Sequence, residues 1–333
     1  MKLLNILKIA LTLLLLSACG TDTQPGTVSD IGSGTNSPNN SGNVTANNDV
    51  TVTSTVETTG TNDSSISLRI TDAPIDNAAK VVITILSIEI KAQNPAQTIL
   101  FEFNQPKVID LLTLQGTNTE NLLTDVSIKA GEYDELRLIV DDSGMNSFIE
   151  ITDGSVYPLK IPSGSSSGLK LKGPITIPAS KPGKFTVDFD VRKSIVRAGK
   201  SSNYLLKPVL RLVDDSVVGH IRGSVDPSLL TDSSCSDNDI DTYNAVYVFE
   251  GFDAAVDDID LSSDQDIDPI ATGSIKYDST SDSYMFEAAF LTEGNYTIAL
   301  TCNTDLEDIE SDDDLVFFNI QNVQVQINDI QFL

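Results

Sequence analysis

The sequence predicts an all-β chain in which two β-sandwich domains follow a signal peptide and a disordered tether. Three observations predict it. Apolar residues recur with a period of two, as where Phe185, Val187, Phe189 and Val191 alternate with Thr186, Asp188, Asp190 and Arg192, which marks strands with one buried face. Turn formers punctuate these runs, at Gly131, Asp153-Gly154, Pro162 to Gly168 and Pro182-Gly183,. No amphipathic stretch is long enough to require a major helix, although Val108 to Leu114 suits a helical turn,.

Residues 1–18 read as an export signal, with Lys2 and Lys8 in a basic start, an apolar run from Ile9 to Leu16, and then Leu16-Ser17-Ala18-Cys19,. The run is far short of the ~20 residues that span a bilayer as a helix. Leu16-Ser17-Ala18-Cys19 resembles the lipobox of bacterial lipoproteins, and the alternative is an ordinary signal cut nearby. The resemblance implies cleavage before Cys19 and its acylation with chains such as palmitate, which makes a membrane the first expected partner. Several acyl chains are what make such an anchor stable. Gly20 stands where the retention signal for the inner membrane is usually Asp, so the resemblance points to the cell envelope and its outer membrane.

Residues 19–65 hold the lipid-accepting Cys19 and then a stretch of Thr, Ser, Asn, Gly and Asp that has no Lys, Arg or aromatic residue. Such a composition cannot offset the entropy of ordering, so a disordered tether is expected. As a flexible coil of roughly 46 residues it would reach about 35 to 40 Å.

The folded remainder divides near Asp214-Asp215, giving domains over 66–216 and 217–333, and charge supports the cut. Residues 66–216 carry 17 Lys and Arg against 18 Asp and Glu, and residues 217–333 carry 2 against 25. In the first domain Ile66, Leu68 and Ile70 share one face, as do Leu136, Leu138 and Val140, whereas Val81 to Ile90 is apolar on both parities and suits a central strand,. In the second, Val246 and Val248 alternate with Tyr247 and Phe249, and Val323, Val325 and Ile327 alternate with Gln324 and Gln326. The phase flips at Ile330 and Phe332, so a bulge or turn is expected at Asn328-Asp329.

Residues 66–213 resemble the bacterial lipoprotein module known as domain of unknown function 4382. The resemblance rests on Ile70-Thr71-Asp72-Ala73-Pro74, Ala130-Gly131-Glu132-Tyr133 before Leu136-Arg137-Leu138, Pro162-Ser163-Gly164 with Ser167-Gly168-Leu169-Lys170, Asp188-Phe189-Asp190 before Ser194, and Leu206-Lys207-Pro208-Val209-Leu210-Arg211. It implies export and a β-rich fold of Ig-like or prealbumin-like type, and brings no activity. The second domain resembles carboxypeptidase-regulatory-like, or prealbumin-like, sandwiches through Gly219-x-Ile221-x-Gly223-x-Val225, a strand about Tyr247, and Gly294-x-Tyr296-x-Ile298, with an acidic insert from Asp253 to Asp268 as a departure.

The chemistry-bearing residues do not add up to an enzyme. The sole histidine, His220, has no expected Ser or Cys beside it,. Ser167-Gly168-Leu169-Lys170 and Ser236-Asp237-Asn238 match fragments of penicillin-recognising serine enzymes, but they fall in different domains and Lys-Thr-Gly is absent,. Paired acids recur by composition, so a carboxylate-based hydrolase is the weakest reading. No catalytic and no organic cofactor-binding residue is therefore expected. Lys170, Lys172, Lys181 and Lys184 make a weak basic patch or a solvated face. A net charge of −27 and a pI near 4.1 exclude nucleic acid as the expected partner.

Two features remain. Cys235 and Cys302 are an even pair once Cys19 is lipidated, and they predict a disulfide in an oxidising compartment, with two free thiols as the alternative,. Asp237-x-Asp239-x-Asp241 and Asp264-x-Asp266-x-Asp268 place carboxylates at alternate positions, as Ca²⁺ loops do,. Neither completes an EF-hand, since position six is Thr242 or Pro269 and position twelve is Val248 or Ile275. The alternative is a solvated acidic surface. The function expected is a non-enzymatic envelope lipoprotein for binding, adhesion or assembly, with a surface glycan or an envelope protein as its partner. The second reading is a carbohydrate-binding accessory module, for which eight Tyr and no Trp are available,.

Overall fold

The structure, a computed structural model, describes residues 43–46, 49–54, 63–73, 75, 77–93, 96–162, 167–179, 181–197, 204–260 and 268–333. The chain is all-β, and its described strands form four sheets. No described helix is long and apolar enough to cross a membrane.

The first sheet has ten strands and is built on the long strand Ala78–Gln93. That strand pairs antiparallel with Ala96–Asp110 along one edge, and with Gly131–Val140 and Phe148–Ile151 along the other. Residues 81 to 85 are buried on both parities, as the unbroken β-branched run predicts,. The second sheet runs Leu210–Asp214, Gly183–Asp190, Asp63–Ala73, Glu120–Lys129, with Gly183–Asp190 parallel to Asp63–Ala73. Ile66, Leu68, Ile70, Val187 and Phe189 of the second sheet share one core with Ile83, Ile85, Ile88, Phe101, Leu136 and Leu138 of the first. The two sheets are thus the layers of a sandwich.

The tether begins to order earlier than its composition predicts. Val50–Ser54 is a strand paired with Ala96–Asp110, and Val50 and Val52 are buried in the first core. Their alternation with Thr51 and Thr53 is strand-like, and two valines suffice because the partner strand supplies the rest of the surface. Cys19 and the signal lie outside the described residues.

The third sheet orders Lys276–Asp278, Ser283–Thr292, Val218–Val225 and Ile330–Phe332, and the fourth orders Ala271–Ser274, Ala245–Glu250, Gly294–Thr301 and Phe318–Val325. Between them lies a second core that includes Ile221, Phe286, Val246, Val248, Ile298, Leu300 and Val325. The expected break near Asn328-Asp329 is a turn, with Asn328 at φ 58° and Ile330–Phe332 resuming parallel to Val218–Val225.

The fourth sheet departs from the half-buried pattern. All of Ala245 to Phe249 is buried, because the start of the acidic insert and the loop after Thr301 cover its outer face. Ile259 and Ile309 pack there on Ala245, Tyr247, Phe249 and Ala299. Phe317 meets the rings of Tyr247 and Phe249 edge-on, at centroid distances of 5.3 and 6.2 Å,. Val196, from the first half of the chain, joins the same cluster, and Asn40–Leu333 is a single compact unit.

Candidate functional site: the junction between the sheet pairs

The end of the strand Asp63–Ala73 lies alongside the end of Gly183–Asp190, with Thr71 opposite Asp188 and Asp72 opposite Phe189. Asp190 then caps a single helical turn, Val191–Ser194, by accepting from the Lys193 N–H at 3.1 Å,. Asp72 Oδ1 accepts from the Val191 N–H at 3.1 Å. Its other oxygen, Oδ2, is buried and has no hydrogen-bond partner. Burial first, and then the nearby Asp190 and Asp188 charges, raise the Asp72 carboxyl well above the ordinary carboxylate range against the opposing Val191 hydrogen bond,.

Asp72 faces a cavity of about 100 Å³ bounded by Thr71, Asp188, Asp190, Lys193 and Arg211 on one side and by Thr272, Glu287 and Phe290 on the other. Thr272 Oγ1 is likewise buried without a partner. At that size the cavity has room for several ordered waters, each needing on the order of 10 to 15 Å³ of such space. Buried polar atoms carry a desolvation cost unless they are bonded, and bridging waters are the chemistry this space fits.

Cations from the first half reach across to the second at this junction. Arg211 holds Asp188 Oδ2 through Nε at 2.6 Å and donates from Nη2 to the Ala289 carbonyl at 3.3 Å. Lys193 Nζ donates to the Pro269 carbonyl at 2.5 Å. Arg69 pairs with Asp215 at 2.8 Å and lies 5.8 Å from the centre of the Phe290 ring,. Beside the cavity, Glu287 accepts from the Thr117 N–H at 3.1 Å and pairs with Arg222 at 2.6 Å. Gly116 makes that approach feasible, since it sits at φ +64° and a Cβ there would lie 2.4 Å from Glu287 Oε2,.

Residues 63–208 match the family model described as Domain of unknown function (DUF4382). Three of the five segments that carry the resemblance, at Thr71 to Ala73, Asp188 to Asp190 and Val209 to Arg211, line the cavity. The other two meet in the first sheet, where Leu169 and Lys170 are in register with Leu138 and Arg137. No curated protein matches the chain. Among solved structures, the Bacillus anthracis TIE protein is similar at 11% identity and a TM-score of 0.17, over 81% of this chain and 33% of that one. The chain therefore spans about a third of that protein. GBS52, the minor pilin of the gram-positive pathogen Streptococcus agalactiae, is similar at 11% identity and a TM-score of 0.18, over 81% of this chain and 94% of that one.

The sequence-predicted residues have the following places. Cys235 and Cys302 form a disulfide with Cα atoms 5.0 Å apart, and Asn303 Nδ2 donates across it to the Ser234 carbonyl and Ser236 Oγ at 3.0 and 2.9 Å. His220 is a structural residue of the junction, its Nδ1 accepting from the Phe290 N–H at 3.1 Å, and burial lowers its pKa. Lys172 of the basic group is bonded to the buried Glu135, together with Arg137.

The first aspartate triplet does not converge. Asp237 Oδ1 accepts from the Asp239 N–H at 3.0 Å, Asp239 Oδ1 from the Asp241 N–H at 3.1 Å, and Asp241 Oδ1 from the Tyr284 hydroxyl at 2.8 Å. The alternate spacing that suggested a Ca²⁺ loop serves backbone turns here. Asp264 and Asp266 lie outside the described residues, and Asp268 is exposed. The acidic cluster that does form among the described residues joins Asp257, Asp258 and Asp312. Sequence spacing gave no signal for it, because its members come from two loops.

Proposed function

We propose that the chain is a non-enzymatic cell-envelope lipoprotein, held at the membrane by a lipid on Cys19 and displaying its two sheet pairs as one rigid body for binding, adhesion or assembly. The junction carries this reading. Three of the segments that carry the family resemblance lie where the two sandwiches are fastened together, around a space fit for a few waters. A body preorganised in this way loses little conformational entropy when a partner docks on it. The lipobox-like Leu16-Ser17-Ala18-Cys19 with Gly20 after it supports an outer-membrane address.

A second reading has one observation in its favour. An open groove of about 710 Å³ is lined by Tyr277 and Phe332, which are 52% and 71% exposed, beside Gln115, Asn118, Arg222 and Asp278. Exposed rings flanked by polar side chains suit a sugar, so a surface glycan is the partner this groove fits. Growth of a bacterial host on a clickable fatty acid tests the main reading. The full chain is expected to take up label and fractionate with membranes, and Cys19→Ser to do neither. An unlabelled parent chain would refute the anchor. Retention of the parent on a glycan array, lost in Tyr277→Ala, would establish the sugar reading.

A further inference from the structure

The layer over the fourth sheet is made by two acidic loops, 251–260 and 302–317, which are already joined through Glu307. Glu307 Oε1 accepts from the Ile259 N–H at 2.6 Å, and its Oε2 accepts from the Tyr247 hydroxyl. Next to that joint, Asp257 and Asp258 from one loop and Asp312 from the other each bring a carboxylate oxygen to within 4.8 Å of the others. Three carboxylates so close repel one another, and the repulsion is relieved by a counter-charge between them or by a proton on one of them.

Asp258 supplies an independent observation. It is 3% exposed. Its Oδ2 accepts from the Asp313 N–H at 2.7 Å, whereas its Oδ1 is buried with no hydrogen-bond partner. No cationic side chain among the described residues pairs with Asp257 or Asp258. A buried carboxylate oxygen without a donor, beside two further carboxylates, is the arrangement that a metal ion satisfies.

We infer that Asp257, Asp258 and Asp312 are the carboxylate ligands of a Ca²⁺ ion that fastens the acidic insert to the loop after Thr301. The donor set is all oxygen, which selects a hard cation over Zn²⁺. The ligands come from irregular loops, which suit the variable six- to eight-fold shell of Ca²⁺ better than the strict octahedron of Mg²⁺. Loop carbonyls and water complete the shell. The ion acts as a further fastener beside Glu307 and the Asp313 N–H, holding Ile259 and Ile309 down on Tyr247 and Phe249.

The test is calorimetric titration of the detergent-purified full chain with CaCl₂ after chelation, repeated with MgCl₂ at equal ionic strength. The parent is expected to bind one Ca²⁺ at this site and to melt at a higher temperature with Ca²⁺ than with Mg²⁺. Asp312→Asn replaces an exposed residue, so the fold is kept, and it is expected to weaken Ca²⁺ binding at least tenfold. Asp239→Asn, in the triplet of turns, is expected to leave it unchanged. An absence of Ca²⁺-selective binding in the parent, or a loss in Asp239→Asn but not in Asp312→Asn, would overturn the assignment.

Discussion

Asp72 shows how much of the junction rests on one side chain. Its carboxyl is raised by burial, with Asp188, Asp190 and Glu287 as the other acids lining the cavity and Lys193 and Arg211 as the bases. The folded state therefore holds a proton at pH values where the unfolded chain has released it. In that window the native state binds more protons, so stability falls as pH rises from the ordinary carboxylate range toward the raised value. Asp72→Asn keeps an oxygen for the Val191 N–H and removes the charge. It is expected to melt with the parent near pH 4 and above it at pH 8, and an unchanged pH slope in thermal scans would contradict the account. The sequence made Asp72 visible as part of a family segment, but not its unbonded Oδ2, which depends on Thr272 and Glu287 two hundred residues away in the fold of the other half. The carboxylates of the aspartate triplet are held apart for a local reason. Asp–x–Ser turns recur throughout the chain, as at Asp141, Asp214, Asp226 and Asp232, each carboxylate accepting from the N–H two residues on. Asp237 and Asp239 belong to that habit.

Among the elements, strands with strict alternation were legible and cover layers were not. Ile66, Leu68 and Ile70, or Phe185 to Phe189, show their buried face in sequence because a sandwich strand has one core side. Tyr247 and Phe249 alternate with Val246 and Val248, yet both faces of their strand are buried, and the loops that cover them look like a solvated acidic insert. Ile259, Ile309 and Phe317, with Ala254, Val256 and Leu315 beside them, hint otherwise, but they are scattered among acids and form no periodic pattern. The disulfide anchors the second of these loops at its start. On the chain-entropy account, closing the loop between Cys235 and Cys302, which are 67 positions apart, stabilises the native state by about 4 kcal/mol. The Cys235→Ala/Cys302→Ala chain is expected to lose stability of that order in denaturant titration and to lose amide protection first across 302–317 in hydrogen exchange.

At the scale of the whole molecule, the charge asymmetry between the halves is met at their contact. The half with 25 acids and 2 bases receives Lys193, Arg211 and Arg69 from its neighbour, and Glu287 fastens Thr117 in return. Removing Glu287 strips a charged acceptor from Thr117 and a partner from Arg222, a loss of about 2 to 3 kcal/mol for hydrogen bonds to a charged group. Glu287→Ala is expected to split a single calorimetric unfolding transition into two, the acidic half melting first; one undivided transition would show that the remaining bridges suffice. Composition and charge counts set the expected division of the chain near residue 216. They carried no trace of the contact itself, because its residues are drawn singly from many strands.

Val196 gives that contact a historical dimension. It belongs by sequence to the first half, yet it is a buried member of the cluster that roofs the fourth sheet. A recombination event that copied residues 217–333 alone into another protein would carry over a roof with a missing tile, exposing Tyr247 and Phe249 beneath it.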